Sequence, residues 1–306
     1  MPAANPHPPF DKLGERIYSL VLSVAKDERI VNILSVQSEV VYGHVGQGAA
    51  RFALQRLGHE VWALPTVLLS NHTGYARVEG ETLSADRLQR LIDGLAENAW
   101  LAECDGIISG YLGSAEQVGV VATAVSHVKH ARPGAIYCLD PVLGDEGRAY
   151  VKPGIAEAIA RTLLPLADIV TPNAFELTQL AALPVRNPDE ARTAAKRLGR
   201  PLVAATSIPD EDGRIGVLAS KRDECWFAST PRLEKVPHGA GDLFAALFLA
   251  ARLSGLSVAE SLASTLVSVF HILSASRGCD EMRLIAEQHA LATPPKVEGL
   301  KLERIA

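Results

Sequence analysis

The feature that most narrows what this chain can fold into is an alternation that begins at Ile30: a short, continuously apolar run, then a longer segment with helical spacing, then another apolar run. "IVNILSVQ" reads as a buried strand ending at Ser38, and "GQGAARFALQRLG" as the helix after it, closed by Gly58. The pairing recurs. "EVWALPTVLLS" (60–70), "CDGIISG", "AIYCLD", "ADIVT" and "PLVAATS" read as strands. Residues 84–100 and 114–131, "KPGIAEAIARTLL", "NAFELTQLAA" and "PDEARTAAKRLG" read as helices between them. Strands without polar alternation are buried on both faces, and strands joined through helices make right-handed crossovers. The predicted class is therefore α/β: a central, mostly parallel sheet between two helical layers, with ligands beyond the carboxyl ends of the strands. A hairpin, "GRIGVLAS" to "ECWFAST", turns at Lys221 to Glu224. Three helices are predicted to follow: one from Asp242, one over "SVAESLASTLVSVFHILSAS" and one over "DEMRLIAEQHAL".

No Gly/Ser-rich or Pro-rich linker interrupts residues 30–290, so they are read as one domain, with an N-terminal extension over 1–29 and a C-terminal tail over 291–306. Residues 5–9 are expected to be disordered. The apolar run Ile17–Ala25 is flanked by acidic residues, unlike a signal peptide, and is too short to cross a bilayer; an amphipathic helix against the domain or a second subunit is expected there. The net charge of −5 and the scattered basic residues argue against a nucleic-acid partner, and no membrane partner is expected. Cys104, Cys138, Cys225 and Cys279 form no CxxC pair and read as core thiols of a cytoplasmic protein. His127 and His130 stand three apart with no third ligand in register, as on a solvated helix face.

The stretch "HGAGDLFAAL" (238–247) carries the chemistry. Small residues at Gly239, Ala240 and Gly241 let the backbone approach a ligand, and the unpaired N–H groups of the following apolar helix form an anion hole. Asp242 then lies beside that hole, where a carboxylate can accept the proton of an alcohol attacking a phosphoryl group. A plain turn capped by Asp242 explains the same spelling, so the stretch alone leaves both readings open. "YGHVGQGAAR" has the order GxxGxG, no acidic residue ends the second strand, and no GxxxxGK[ST] occurs, so neither a dinucleotide fingerprint nor a P-loop is present. Asp140 and Asp145 flank the loop in "LDPVLGDEG", and Glu176 opens the helix after the next strand. Three carboxylates at one edge of the sheet suit a divalent metal with phosphate; separate capping roles explain each one but not their shared place.

The motifs "SVQSEVVYGHVG", "FALQRLG", "LLSNHTGYARVEG", "SGYLGS", "LDPVLGDEG", "ADIVTPNAFEL", "VAATS" and "GAGDLFAALFLA" occur in an order that resembles the ribokinase superfamily, and within it the pyridoxal kinases. The resemblance runs from about Val31 to about Leu273 and implies a ribokinase-like three-layer α/β/α sandwich. It implies Asp242 as the base toward the C5 hydroxymethyl of pyridoxal, with Gly239, Ala240 and Gly241 around the transferred phosphoryl group. Ser38, Val45, His72, Thr73, Gly74 and Tyr111 match positions around the pyridine ring. On the ATP side it implies Asp140, Asp145, Thr171, Asn173, Glu176, Thr206 and Ser207. Among these, Asp145 and Glu176 would hold Mg²⁺, and Asp140, Thr171 and Thr206 a monovalent cation such as K⁺. Homologues of this kind are typically homodimers. Three places depart from the pattern: the loop "DEGRA" is short, "RVEG" after Tyr75 differs, and His238 stands where relatives carry an apolar residue. A hydroxymethylpyrimidine kinase of the same superfamily, whose turn usually ends in cysteine, and a non-catalytic B6-binding protein are the rival readings.

Overall fold

The computed structural model describes residues 30–305 except 146, 296 and 298, so the helix expected within residues 1–29 lies outside the described residues. In chain order the elements are β1 (Asn32–Val40), α1 (Gln47–Arg56), β2 (Glu60–Leu69), β3 (Gly80–Thr82), α2 (Ala85–Glu97), β4 (Gly106–Ser109) and α3 (Ala115–Ala131). Next come β5 (Ile136–Leu139), β6 (Gly144–Asp145), β7 (Arg148–Ala149), α4 (Ile155–Ala158), β8 (Ile169–Val170), α5 (Ala174–Ala181), α6 (Pro188–Leu198) and β9 (Leu202–Pro209). The chain closes with β10 (Arg214–Lys221), β11 (Glu224–Pro231), α7 (Ala240–Leu253), α8 (Val258–Ala275), α9 (His289–Ala292) and β12 (Lys301–Arg304).

One sheet runs in the order β12-β11-β10-β9-β8-β5-β4-β1-β2-β3, parallel from β9 to β2, while β6 and β7 form a separate ribbon. Side-chain parity sorts its faces. Ile33, Ile108 and Cys138 pack with α1, α7 and α8, whereas their neighbours Leu34, Ile107 and Tyr137 pack with α2 and α3. Val203, Ala205, Leu218 and Phe227 meet α5 and α6 in a third cluster. A strand that must be apolar on both sides has no polar face, which is why these runs read as continuous. The helix α8 is long and apolar enough to cross a membrane by composition alone, but more than half of it is buried against the domain.

Several expectations are corrected. The helix expected over "KPGIAEAIARTLL" is α-helical only in α4; it widens to a π-turn at Ile159–Leu163 and tightens to a 3₁₀ turn at Leu164–Leu166. Pro165 has no N–H to continue the α-helical ladder. The helix expected over "DEMRLIAEQHAL" shrinks to α9. Met282 and Leu284 are buried while Arg283 and Ile285 are exposed, a period of two that an extended segment satisfies and a helix does not. Residues 291–306, expected as a tail, supply β12, which pairs antiparallel with β11. β3, an edge strand antiparallel to β2, was not anticipated. Cys104, Cys138 and Cys225 are buried thiols as expected, but Cys279 is exposed.

Candidate active site

Every loop expected to carry chemistry lies beyond the carboxyl ends of the parallel strands. At the start of α7, Gly239 is the N-cap in the left-handed region (φ 97°), where a Cβ would stand 2.0 Å from the His44 carbonyl oxygen. Only glycine fits this approach. Asp242 is thus the third residue of the helix and not its cap, which removes the simpler of the two readings. The first intrahelical bond is Leu243 N–H to the Gly239 carbonyl (3.0 Å), so the amides of Ala240 and Gly241 precede the ladder. Gly241 is exposed and open space surrounds it within 4 Å, leaving room for an anion at the positive end of the helix.

Burial pushes the Asp242 carboxyl up to about 6, against the pull of the Gly46 backbone N–H and its own. Gly46 caps α1 with φ 52°, and a Cβ there would stand 2.2 Å from Ser38 Oγ and 2.3 Å from the Ser38 carbonyl. It is a functional residue that motif reading passed over: the glycine-rich stretch dismissed as a dinucleotide loop serves to aim a backbone donor at the base.

Asp140, buried at the end of β5, is held well above the usual carboxylate range by burial first, then by Glu176 and Asp242, with Thr171 opposing. Burial likewise raises Glu176 to about 7, opposed by the backbone N–H groups of Asn173, Leu143 and Gly144 and aided by Asp145. Glu176 closes a capping box with Asn173 (2.9 Å each way) and accepts Leu143 N–H at 2.7 Å, yet it also lies close enough to Asp140 to raise it. Asn173 donates to the Gly144 carbonyl at 2.7 Å, tying α5 to the β6–β7 ribbon. Asn173 and Thr206 form a parallel bridge, and Ser207 has φ +58°, a strained conformation at the end of this strand. Thr171 Oγ1 is buried with no hydrogen bond of good geometry.

On the other side, His72 is half-buried; its Nδ1 accepts the Gly74 N–H (3.1 Å) and its Nε2 lies 3.2 Å from Glu281 Oε1, so its proton sits on Nε2. Burial, then the neighbouring His238, lower its pKa. The His72 ring lies between Tyr75 and His238, with centroids at 4.6 and 4.7 Å. Thr73 and Gly74 are exposed beside it, Val45 is half-buried in the turn before Gly46, and Ser38 is buried in β1. Tyr111 is half-buried after β4, its phenol raised by burial and its carbonyl accepting the Thr66 hydroxyl at 2.7 Å. His127 and His130 are exposed. Among the described residues the donors within 4.8 Å of one another are His271, Glu287 and His289, of which the first two already form an ion pair at 3.0 Å. No motif marks Glu281, whose carboxylate joins His44 in the loop after β1 to Tyr75 in the loop after β2.

A protein-family model described as phosphomethylpyrimidine kinase matches residues 61–276. A pyridoxal kinase PdxY of Rubrobacter xylanophilus is 44% identical over 275 residues, 87% of this chain and 95% of the relative. One of Deinococcus radiodurans is 40% identical over 278 residues, 86% of this chain and 93% of the relative. A solved pyridoxal kinase of Leishmania donovani, in complex with ADP and pyridoxamine, superposes with a TM-score of 0.85 at 30% identity, covering 90% of this chain and 99% of the other.

Proposed function

The chain belongs to the pyridoxal kinase family, and on that footing we propose that it transfers the γ-phosphoryl group of ATP to the 5′-hydroxymethyl oxygen of pyridoxal, yielding pyridoxal 5′-phosphate and ADP. The observation that carries the reading is the placement of Asp242: a half-buried carboxyl held at about 6, at the third position of a helix whose first amides precede its hydrogen-bonded ladder. A carboxyl poised just below neutrality is ionised at the working pH yet basic enough to take the hydroxymethyl proton. The phosphoryl group then lies over the amides of Ala240 and Gly241, where charge developing on its oxygens meets preorganised donors. Ser38, Val45, His72, Thr73, Gly74 and Tyr111 bound the pyridine ring. Asn173, Thr206 and Ser207 lie on the nucleotide side.

The carboxylates fit a divalent ion. Burial and mutual repulsion raise Asp140 and Glu176, and among the described residues no lysine or arginine is among the groups acting on them or on Asp242. Asp145 and Glu176 would hold Mg²⁺, which supplies charge neutralisation to the phosphates when bound. The Thr171 hydroxyl, buried beside Asp140 without a hydrogen bond of good geometry, would with Asp140 and Thr206 hold a monovalent cation such as K⁺. A homodimer is supported by an apolar hollow of about 560 Å³ that Leu34, Trp62, Leu64, Leu91 and Trp100 help line. Leu91 and Trp100 are half exposed there. A cytoplasmic setting is supported by four free thiols.

The test is incubation of the purified protein with MgATP and either pyridoxal or hydroxymethylpyrimidine, following ADP release with both and pyridoxal 5′-phosphate by its absorbance. Turnover of pyridoxal is expected. Turnover of only the pyrimidine, or of neither substrate, overturns the reading.

A further inference from the structure

Glu281 stands outside every motif of the site, in the segment after α8, yet three groups of the substrate side converge on it. Its Oε2 accepts the His44 N–H at 2.9 Å; its Oε1 accepts the Tyr75 hydroxyl at 2.8 Å and lies 3.2 Å from His72 Nε2. The side chain is largely buried, and a Cβ on Gly43 would strike its carboxylate at 2.7 Å. Two backbone bonds, Val41 N–H to the Leu69 carbonyl and Tyr42 N–H to the Ser70 carbonyl (2.9 Å each), carry the pairing just past β1 and β2, and beyond them the Glu281 carboxylate joins His44 to Tyr75.

The His44 end leads to the base. The His44 N–H is held by Glu281, and its carbonyl lies against Gly239, the cap of α7, on which the methyl of Met282 also packs. Two residues later, Gly46 directs its N–H at the Asp242 carboxylate. The other end leads to the ring pocket: the Gly74 N–H on Nδ1 sets the His72 tautomer, Glu281 Oε1 lies 3.2 Å from its Nε2, and the His238 ring contacts His72 at a tilt of 55° with its Nε2 2.8 Å from where a Gly74 Cβ would stand. His238, otherwise a departure without a reason, thereby closes the contact between the turn before α7 and the loop after β2.

We propose that Glu281 is a positioning residue that couples the pyridoxal-side loops to Asp242, through the His44–Gly46 turn on one arm and the Tyr75–His72–His238 stack on the other. It touches neither reactant. A flexible substitute leaves the His44 amide and the Tyr75 hydroxyl without their shared acceptor, so the turn that aims Gly46 and the wall that faces the ring lose register together, while the ATP side keeps its own bonds through Glu176 and Asn173.

The inference rests on the pyridoxal kinase reading, and wild-type turnover of pyridoxal separates the two: an inactive wild type defeats that reading and this one with it. With an active wild type, Glu281→Ala is expected to lower kcat/KM for pyridoxal by about 10- to 100-fold and to leave KM for MgATP within about two-fold. Glu281→Gln keeps an oxygen acceptor for the His44 amide and an amide group for the tyrosine oxygen, although that amide N–H opposes the His72 Nε2 proton. It should recover most, but not all, of the kcat/KM that Glu281→Ala loses. Glu281→Ala with wild-type kinetics, or with pyridoxal and MgATP parameters lost in parallel, or with no rescue by Glu281→Gln, overturns the proposal. Tyr75→Phe serves where Glu281→Ala fails to fold: removing one hydroxyl should raise KM for pyridoxal alone, and an unchanged KM counts against the coupling.

Discussion

Replacing Asp242 by asparagine should make the protein a far worse enzyme and a more stable one. The carboxyl sits at about 6 in the fold against an ordinary 3.8, chiefly because burial disfavours its charge. At about 1.4 kcal/mol for each tenfold change, this difference is worth about 3 kcal/mol. The sign follows from proton linkage. Between the two values the folded state binds more protons than the unfolded chain, so stability falls as pH rises from about 4 to about 6 and stays lower above it. Asparagine carries no charge and removes that loss. Two effects oppose the gain: a negative charge in the first turn of a helix is favourable by about 0.5 kcal/mol, and the partial exposure of Asp242 lets water screen some of the strain. A net gain of about 1–2 kcal/mol at about pH 8 remains, or about 2–5 °C in Tm. Turnover of pyridoxal should fall by about 10²–10⁴, the range for loss of a general base. Thermal unfolding of both proteins without nucleotide, at about pH 4 and about pH 8, reads the first quantity, and pyridoxal 5′-phosphate formation followed by its absorbance reads the second. A variant no more stable than wild type at the higher pH, or a stability gap that does not shrink at the lower one, refutes the account of a desolvated carboxylate. Near-normal turnover refutes its role as base.

Neighbouring positions should respond in other ways. Gly241→Ala places a methyl where no atom lies within 4 Å. Its stability should hold or rise by up to about 1 kcal/mol, while kcat/KM for MgATP drops by about tenfold or more as the methyl enters the anion hole. Gly46→Ala must push a Cβ into the Ser38 backbone at 2.3 Å with φ 52°; denaturant unfolding should show a loss of more than about 3 kcal/mol or no folded protein. Glu176→Ala should destabilise, opposite in sign to Asp242→Asn, although both carboxyls are raised. It strands the amides of Leu143, Gly144 and Asn173, at about 1–3 kcal/mol for each buried donor left unsatisfied; urea midpoints of the two variants, compared at the same pH, give the contrast.

The core of the sheet was legible because its physics is local. A strand such as "IVNILSVQ" must be apolar on both sides, and the alternation of Ile33 and Leu34 between two helical layers is written in adjacent letters. Asp242 was legible as one of two alternatives, because the glycines before it announce an N-terminus without saying which residue caps it; only Gly239 at φ 97° decides that. Glu281 was not legible. It bonds partners 237 and 206 residues away, and its own segment reads as helix by composition. What defeats the helix is tertiary: Glu281 reaches forward into the site, Met282 and Leu284 turn inward, and the Ser276 hydroxyl takes the Arg283 amide at 2.9 Å. Cys279 came out exposed for the same reason, since the segment that carries it serves as a strap rather than a packed helix.

The apolar character of α7 follows from the charge at its tip. A helix that begins with a desolvated carboxylate must be held by something stronger than the roughly 3 kcal/mol that the carboxylate works against. Leu243, Phe244, Leu247, Phe248 and Leu249 are all buried, and at about 1.5–3 kcal/mol for each such side chain their contribution is about 7–15 kcal/mol as an upper bound. The margin lets the protein keep Asp242, Asp140 and Glu176 close together, with no lysine or arginine, among the described residues, in the set of groups that chiefly act on them. A lysine or arginine placed among them would relieve the repulsion permanently and lower the basicity that the transfer step uses. Leaving the charge to be neutralised by what arrives with the nucleotide makes the relief conditional on ATP. On the proposed assignment, the charge that burial and repulsion disfavour on Asp140 and Glu176 would favour the cations that accompany the phosphates, and the helix core keeps the geometry fixed for them.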